Sequence, residues 1–262
     1  MHLQYGFAGQ KRTSQLATLL CVLVSSAVYS SASVITFSGQ DNVATTTSAH
    51  PNSAAAAAGF AAAAAGLGTV SIITFESAPV GSFSSLIAAS GVTLTGTDGN
   101  GSNQSIRNTS NFPVAPTLDG FNTTSGGANF VEEKGGTVTF TFTTPTQFFG
   151  AYFSGIQTNF FADTITFSDG TSQSISIPGI GTTSSIGALD FVGFTDAGKS
   201  ITSITINTGS NALGFDDIGI DDVIYQGPAA TTFSAVPEPG SISLMLTGSL
   251  GLAAGIRRRW FV

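Results

Sequence analysis

Four aspartates crowd the run GFDDIGIDDVIY at residues 214–225. Successive side chains of a strand point to opposite faces, so a regular strand would place Asp222 on the core side among isoleucines. A buried carboxylate is costly unless it is protonated, paired or bound to a metal. Because few basic side chains are present for pairing, the run predicts one structural calcium ion. Its expected ligands are Asp222, Glu76 from the end of an early strand, and Asp221 where a bulge shifts the register. The alternative is an acidic strand end bathed in solvent.

Catalytic chemistry has few candidate side chains in this sequence. His50 is the one histidine beyond the N-terminal segment, and Cys21, the single cysteine, lies within an apolar segment that export would remove. The sequence therefore does not supply the side chains that Ser-His-Asp and Cys-His catalytic arrangements require. Glu132 and Glu133 are the nearest approach to a glycosidase pair, but adjacent strand residues point to opposite faces. We expect both glutamates at a solvated strand edge, no catalytic residues, and a protein that is not an enzyme.

Aromatic side chains offer a binding chemistry instead, because their rings pack against the apolar faces of saccharides. The candidates for such a platform are Phe112, Phe121, Tyr152 and Phe153. The alternative is that these rings fill the core, as most of the 21 phenylalanines must. Residues 97–127, rich in Asn, Gly, Ser and Thr, form the longest irregular stretch, and long loops on a rigid scaffold commonly carry binding sites. Extracellular polysaccharide is the candidate ligand.

Short runs of alternating or β-branched residues dominate the chain from Val70 onward. Turn residues separate most of these runs, and Asp169-Gly170 between two of them is a strong hairpin signal. Roughly ten strands without an intervening helical rhythm predict an all-β, antiparallel β-sandwich, most closely a jelly roll. The FES of residues 75–77 and the IDDV of residues 220–223 together resemble carbohydrate-binding jelly rolls and adhesion modules. That resemblance implies a structural calcium ion.

The segment before the sandwich predicts a strand at residues 34–39 and an alanine-rich helix within residues 51–68. Alanine is the best helix former, Ser53 is a suitable N-cap, and a glycine after the alanines ends the helix. Phe60 and Leu67 would share one face. We expect this helix to plug one end of the sandwich; the alternative is a docking or self-association helix.

The N-terminus has the pattern of a secretory signal peptide. Lys11 and Arg12 precede an apolar run at residues 16–28, and Ser30 and Ala32 occupy the −3 and −1 positions of a cleavage site. We expect signal peptidase to remove residues 1–32. The exported chain would then hold no cysteine, and its stability would depend on packing, hydrogen bonds and metal.

The C-terminus combines an extended segment, an apolar run and a basic cluster. Pro-Glu-Pro follows Val236, the apolar helical segment covers residues 242–256, and three arginines come next. Positive charges stay on the cytoplasmic side of a membrane, so the bulk of the chain would lie outside. The residues of the two motifs are Val236, Pro237, Glu238 and Pro239, then Arg257, Arg258 and Arg259.

Together these three features resemble the PEP-CTERM sorting signal of exported proteins in Gram-negative bacteria. The resemblance covers about the last tenth of the chain, residues 236–262. It implies recognition of the Pro-Glu-Pro region by an exosortase, a membrane cysteine protease, and association with exopolysaccharide or biofilm matrix. The expected route is export, an inner-membrane intermediate, and then the cell surface or extracellular matrix. A plain tail anchor is the alternative.

Charge narrows the range of partners. Five of the eight basic side chains lie in the two removable ends, and the remaining three stand against 15 acidic residues, a net charge of about −12. Nucleic acid is excluded as a partner because phosphate binding needs a basic surface. We therefore expect a strand, linker and helix at residues 33–69 and a sandwich at residues 70–230 that binds glycan without catalysis. The alternatives are a self-associating matrix protein and a glycan-active hydrolase or lyase.

Overall fold

The computed structural model describes residues 34–42, 44, 48–109, 119–157, 162–177, 187–196, 198–210 and 214–228. These residues contain 15 strands and one helix. In chain order the elements are β1 (Ile35–Asp41), α1 (Pro51–Ala65), β2 (Val70–Ile73), β3 (Gly81–Phe83), β4 (Ser85–Ala89), β5 (Val92–Thr97), β6 (Gln104–Asn108), β7 (Asn129–Lys134), β8 (Gly136–Thr146), β9 (Phe148–Ile156), β10 (Ala162–Phe167), β11 (Ser172–Ser176), β12 (Ala188–Thr195), β13 (Ile201–Ser210), β14 (Gly214–Phe215) and β15 (Asp217–Gln226).

The strands form two sheets, and every pairing in the described part is antiparallel. The eight-stranded sheet has the order β1-β12-β9-β15-β7-β6-β3, and β2 also pairs with β15. The seven-stranded sheet has the order β11-β10-β13-β8-β5-β4, and β14 also pairs with β13. The N-terminal strand β1 thus belongs to the same sheet as the last strand.

One hydrophobic core joins the inner faces of the two sheets. It is built by alternate residues of strands from both sheets, as period-2 patterning requires. Phe140 of β8 and Phe149 of β9 meet edge to face across it, with ring centroids 5.4 Å apart. The prediction of an all-β, antiparallel fold is confirmed, and the arrangement of the sheets is consistent with a β-sandwich.

The alanine-rich helix lies on the outer face of the eight-stranded sheet. We define this outer face by the side chains of Phe148, Tyr152 and Phe191, which point away from the main core. Phe60 is the anchor: it is fully buried, and its ring centroid lies 5.5 Å from that of Phe191. Leu67 packs against the same cluster, as predicted. The expected plug at one end of the sandwich is wrong, because the apolar anchor of the helix fits the face of the sheet instead.

Two glycines make that fit possible. Gly150 of β9 and Gly193 of β12 are direct cross-strand partners. A Cβ on either residue would lie 2.8 Å from a carbon of the Phe60 ring, closer than real contacts allow. The paired glycines therefore form a hollow in the sheet that admits one aromatic ring.

The start of α1 is capped from another element. The predicted N-cap, Ser53, lies inside the first turn, and its hydroxyl donates to Asp41 Oδ2 over 2.7 Å. Asp41, at the end of β1, also accepts from the backbone N–H of Asn52 and Ser53 at 3.0 and 2.9 Å. Helix N-termini leave such N–H groups without intrahelical partners. The prediction of Ser53 as the N-cap is corrected: the carboxylate of Asp41, which lies outside the helix, accepts the backbone N–H groups that an N-cap side chain would accept.

The hairpin predicted at Asp169-Gly170 is present. It joins β10 to β11, and Gly170 adopts a φ of 80°, which glycine tolerates without steric cost. The hydroxyl and backbone N–H of Thr171 donate to Asp169, and Lys199 adds a further favourable contact, so the pKa of this carboxyl is lowered to about 2.

The predicted signal peptide and sorting segment fall outside the described residues. These are residues 1–32 and residues 236–262, including the Pro-Glu-Pro motif and the arginine cluster. Among the residues that the structure describes, no helix has the length and apolar character needed to cross a membrane.

Candidate functional site

A β-bulge in β15 decides where the predicted metal ligands point. The pairing with β9 shifts between Asp221 and Ile224, and Asp222 adopts a φ of 47°. Ile220 before the bulge and Val223 after it both belong to the main core. The regular strand assumed from the sequence is therefore wrong: Asp222 lies on the outer face, partly exposed, and Asp221 points to the same side.

The two aspartates hold a loop that we call the cleft loop, residues 121–127. Asp221 Oδ2 accepts the backbone N–H groups of Thr123 and Thr124 at 2.8 and 3.2 Å. Asp222 accepts the two threonine hydroxyls, at 2.9 Å for Thr123 and 2.6 Å for Thr124. The acidic run therefore fixes the position of a loop that lies about 100 residues earlier in the chain.

Asp221 is the more deeply buried of the two. Only 1% of its surface is exposed, and its Oδ1 has no hydrogen-bond partner among the described residues. Burial and the neighbouring charge of Asp222 raise the pKa of Asp221 to about 7, although bonds from the cleft loop oppose the shift. The pair thus carries less than two full charges near neutral pH.

Glu76 supports the other end of the same region. Its carboxylate accepts from Asn122 Nδ2 at 2.7 Å and from the backbone N–H of Ala128 and Asn129 at 2.9 and 3.1 Å. The structure thus assigns Glu76 to a separate hydrogen-bond network. In the described residues no group of three or more potential metal-ligating His, Cys, Asp or Glu side chains is found. A calcium ion on Asp221 and Asp222 stays a prediction, without Glu76 as its third carboxylate.

The cleft loop lies directly on the outer face of the sheet. Ser154 of β9 receives the backbone N–H of Phe121 at 2.8 Å and donates to its carbonyl oxygen at 2.9 Å. This close approach requires glycine beneath it: a Cβ on Gly219 would lie 2.5 Å from Ser154 Oγ and 3.0 Å from Phe121 N. Gly219, the glycine within the acidic run, therefore leaves the space that the cleft loop needs to lie against the sheet.

A cleft of about 590 Å³ opens between the cleft loop and the start of α1. Clefts that bind small molecules commonly measure roughly 300–1,000 Å³. One wall is the cleft loop, and the opposite wall is formed by Ser48, His50, Ser53 and Ala54. Tyr152, Leu189 and Asp222 of the sheet line it between these walls. The lining thus combines hydroxyls, amides and a carboxylate with the rings of His50, Phe121 and Tyr152.

Two of the four aromatic residues proposed for sugar stacking reach this cleft. Tyr152 is partly buried and lines it, and Phe121 also lines it although it is only 1% exposed. His50 lies against the Phe121 ring, with centroids 6.3 Å apart and planes 28° apart. Phe153 belongs to the main core, so the prediction is wrong for that residue, and Phe112 is outside the described residues. Tyr152 and His50 are therefore the rings that a ligand can contact.

The adjacent glutamates point to opposite faces, as predicted. Glu132 lies on the outer face, where its Oε2 accepts from Arg107 Nε and Ser105 Oγ, each at 2.7 Å. Glu133 is fully buried on the core side and accepts from Thr208 Oγ1 at 3.1 Å. The expectation that both are solvated is wrong, because each carboxylate is enclosed by partners on its own side of the sheet.

Asp190 is a buried acid that was not predicted from the sequence. Asp190 of β12 is 1% exposed and lies opposite Phe153, on the same side of the strand as Val192 and Phe194. Burial raises its pKa to about 8, which the bond from Gln40 Nε2 at 3.2 Å only partly offsets. Period-2 alternation through residues 190, 192 and 194 was the signal that could have revealed it.

Comparison with known proteins adds no family assignment. No protein-family model matches the chain, and no curated protein is found that matches it.

Proposed function

We propose that this chain is a non-catalytic exported protein whose β-domain binds a glycan in the cleft between the cleft loop and α1. The observation that carries the proposal is the composition of that cleft. Hydroxyl and amide groups of Ser48, Asn122 and Thr123 surround a space beside the Tyr152 ring. Saccharides are recognised by such groups together with an aromatic face.

Delivery forms the second part of the proposal. The N-terminal pattern supports processing by signal peptidase, and the Pro-Glu-Pro segment with its arginine cluster supports recognition by an exosortase. The protein would pass through an inner-membrane intermediate and end at the cell surface or in the extracellular matrix. Exopolysaccharide is the ligand that such a destination offers.

The jelly-roll arrangement is proposed on the path of the chain. From β8 onward the chain crosses repeatedly between the sheets: β9, β12 and β15 are in the eight-stranded sheet, and the strands between them are in the seven-stranded sheet. Repeated crossing between two antiparallel sheets is typical of jelly rolls. In such folds, loops at the edges of a sheet have the rigid support that binding needs.

A glycan array tests the binding proposal. The full-length protein should retain defined saccharides, and Tyr152→Ala should lose them because the ring supplies the apolar contact. Val80→Ala, which changes an exposed residue outside the cleft, is the matched control and should bind like the wild type. No retention on a broad array, with the protein folded, would contradict the proposal. A turnover assay on exopolysaccharide tests the alternative of a hydrolase or lyase.

Self-association is a second candidate, and one observation favours it. Strand β4 ends the seven-stranded sheet in the described part, and 78% of the surface of its Ile87 is exposed. Exposed apolar edge strands pair readily with further strands. Sedimentation should then show concentration-dependent assemblies that Ile87→Lys abolishes; a monomer at all concentrations would contradict this candidate.

A further inference from the structure

We infer that the cleft selects a saccharide carrying a free amino group, which is a cation, and discriminates against saccharides that carry carboxylates. This inference rests on the proposed glycan-binding function and names the chemical class of its ligand. It follows from the charges around the cleft and from the way in which these charges are held.

Four carboxylates lie at the cleft or one hydrogen bond behind its lining. Asp222 lines the cleft itself. Asp221 accepts from the lining residues Thr123 and Thr124, Glu76 accepts from Asn122, and Asp41 accepts from Ser53. These carboxylates come from three separate parts of the chain and converge on one space, although Asp221, whose pKa is raised to about 7, carries only part of a charge near neutral pH.

Two of these charges act on the same lining side chain. The pKa of the Tyr152 hydroxyl is raised by burial first, and then by the charges of Asp222 and Asp41. These aspartates support opposite walls, since Asp222 holds the cleft loop and Asp41 caps the start of α1. A group bound beside Tyr152 would therefore lie in a negative potential from both sides.

Lysine and arginine do not neutralise this potential, and His50 is the one basic side chain among the described residues of the lining. None of the residues that line the cleft is a lysine or arginine. In the described part, Arg107 pairs with Glu132, Lys134 with Asp217 and Lys199 with Asp169, all outside the lining. The partial positive charge at the start of α1 is already met by Asp41. The chemistry that fits is a polyhydroxylated ligand with an ammonium group near Asp222, because a charge-assisted hydrogen bond is stronger than a neutral one.

The bulge in β15 presents the Asp222 carboxylate to the cleft. The threonine hydroxyls account for two of its acceptor positions and leave further positions for a charged donor.

Calorimetry with matched oligosaccharides tests the inference on the full-length protein in mild detergent. The probes are glucosamine, N-acetylglucosamine and glucuronate oligomers of equal length, at about pH 7, where an amine is mostly protonated and Asp221 keeps part of its charge. A chelator keeps divalent cations away from the aspartates. The glucosamine oligomer should bind about tenfold more tightly than its acetylated counterpart, and added salt should narrow the difference. The glucuronate oligomer should bind most weakly.

Asp222→Asn should abolish the preference for the amine while keeping a polar acceptor for the threonines. Asp169→Asn, which removes an acid outside the cleft, is the control and should keep the preference. Equal or tighter binding of the acetylated sugar to the wild type overturns the charge inference and leaves the glycan-binding function standing. If no sugar of any class binds, both are overturned. The wild-type preference and its salt dependence decide the matter without any variant, so an unstable Asp222→Asn does not obstruct the test.

Discussion

The buried Asp190 predicts an unusual dependence of stability on pH. In the unfolded chain its carboxyl titrates near 3.8, whereas in the folded protein burial raises the pKa to about 8. Between these values the unfolded chain releases a proton that the folded chain keeps. The free energy of unfolding should therefore fall as pH rises from about 4 to about 8, by about 1.4 kcal/mol per pH unit.

Replacing Asp190 by asparagine should remove this contribution. At pH 7 the cost of keeping the acid protonated is about 4 kcal/mol, which is the pKa difference up to that pH expressed as free energy. The asparagine amide would not find all of its hydrogen-bond partners there, which lowers the expected gain in the free energy of unfolding by about 1–2 kcal/mol. We therefore expect Asp190→Asn to stabilise the protein by about 2–3 kcal/mol at pH 7 and to give no stabilisation below about pH 4.

Urea unfolding of both proteins across this pH range measures the effect. The difference between the two curves isolates Asp190, because Asp217 and Asp221, whose pKa values are raised to about 6 and about 7, contribute equally to both. Asp169→Asn is the control: Asp169 is exposed and its pKa is lowered, so the variant should not gain stability as pH rises. Parallel curves for the wild type and Asp190→Asn would refute the reasoning.

Three further predictions concern Gly219 beneath the cleft loop, Phe60 of α1 and the C-terminal sorting segment. Gly219→Ala should lower the free energy of unfolding by about 1–3 kcal/mol, because its Cβ meets Ser154 and the cleft loop; denaturant unfolding measures this. Phe60→Ala should cost about 3–5 kcal/mol by the same measurement, since a fully buried ring leaves its hollow. Gly59→Ala, at a helical position with 3.7 Å of room to the nearest atom, is the control for both and should stabilise by up to about 1 kcal/mol. In cells with an exosortase, Pro237→Ala combined with Glu238→Ala should leave the protein in the membrane, whereas mass spectrometry of the wild-type surface form should find no peptide from residues 244–262. Recovery of that tail from mature protein would contradict the sorting proposal.

Patterns within single elements were predictable from the sequence. Alternating runs gave the antiparallel strands, Asp169-Gly170 marked a real hairpin, and the alanines marked a helix that begins at Pro51. The opposite orientations of Glu132 and Glu133 also followed from strand geometry alone. In each case the physical cause is local, because alternation, turn preference and helix propensity act within a few residues.

Relations between distant elements were not predictable in this way. The hollow for Phe60 depends on Gly150 and Gly193, which become neighbours only when β9 pairs with β12. The cap on α1 depends in the same way on Asp41, which lies 12 residues before Ser53 in the chain. No periodicity within a segment records such pairings, so the face to which the helix docks and the group that caps it required the fold.

The bulge in β15 explains why strand alternation placed Asp222 on the wrong side of the sheet. A regular strand would bury Asp222 among isoleucines, and the cost of an unpaired carboxylate there is several kcal/mol. The left-handed backbone at Asp222 costs about 1–2 kcal/mol, so turning the carboxylate outward is the cheaper solution. That turn keeps Val223 in the core and brings both aspartates to Thr123 and Thr124. The same distortion thus resolves a conflict in packing and builds one wall of the cleft, which ties the proposed site to the stability of the strand that carries it.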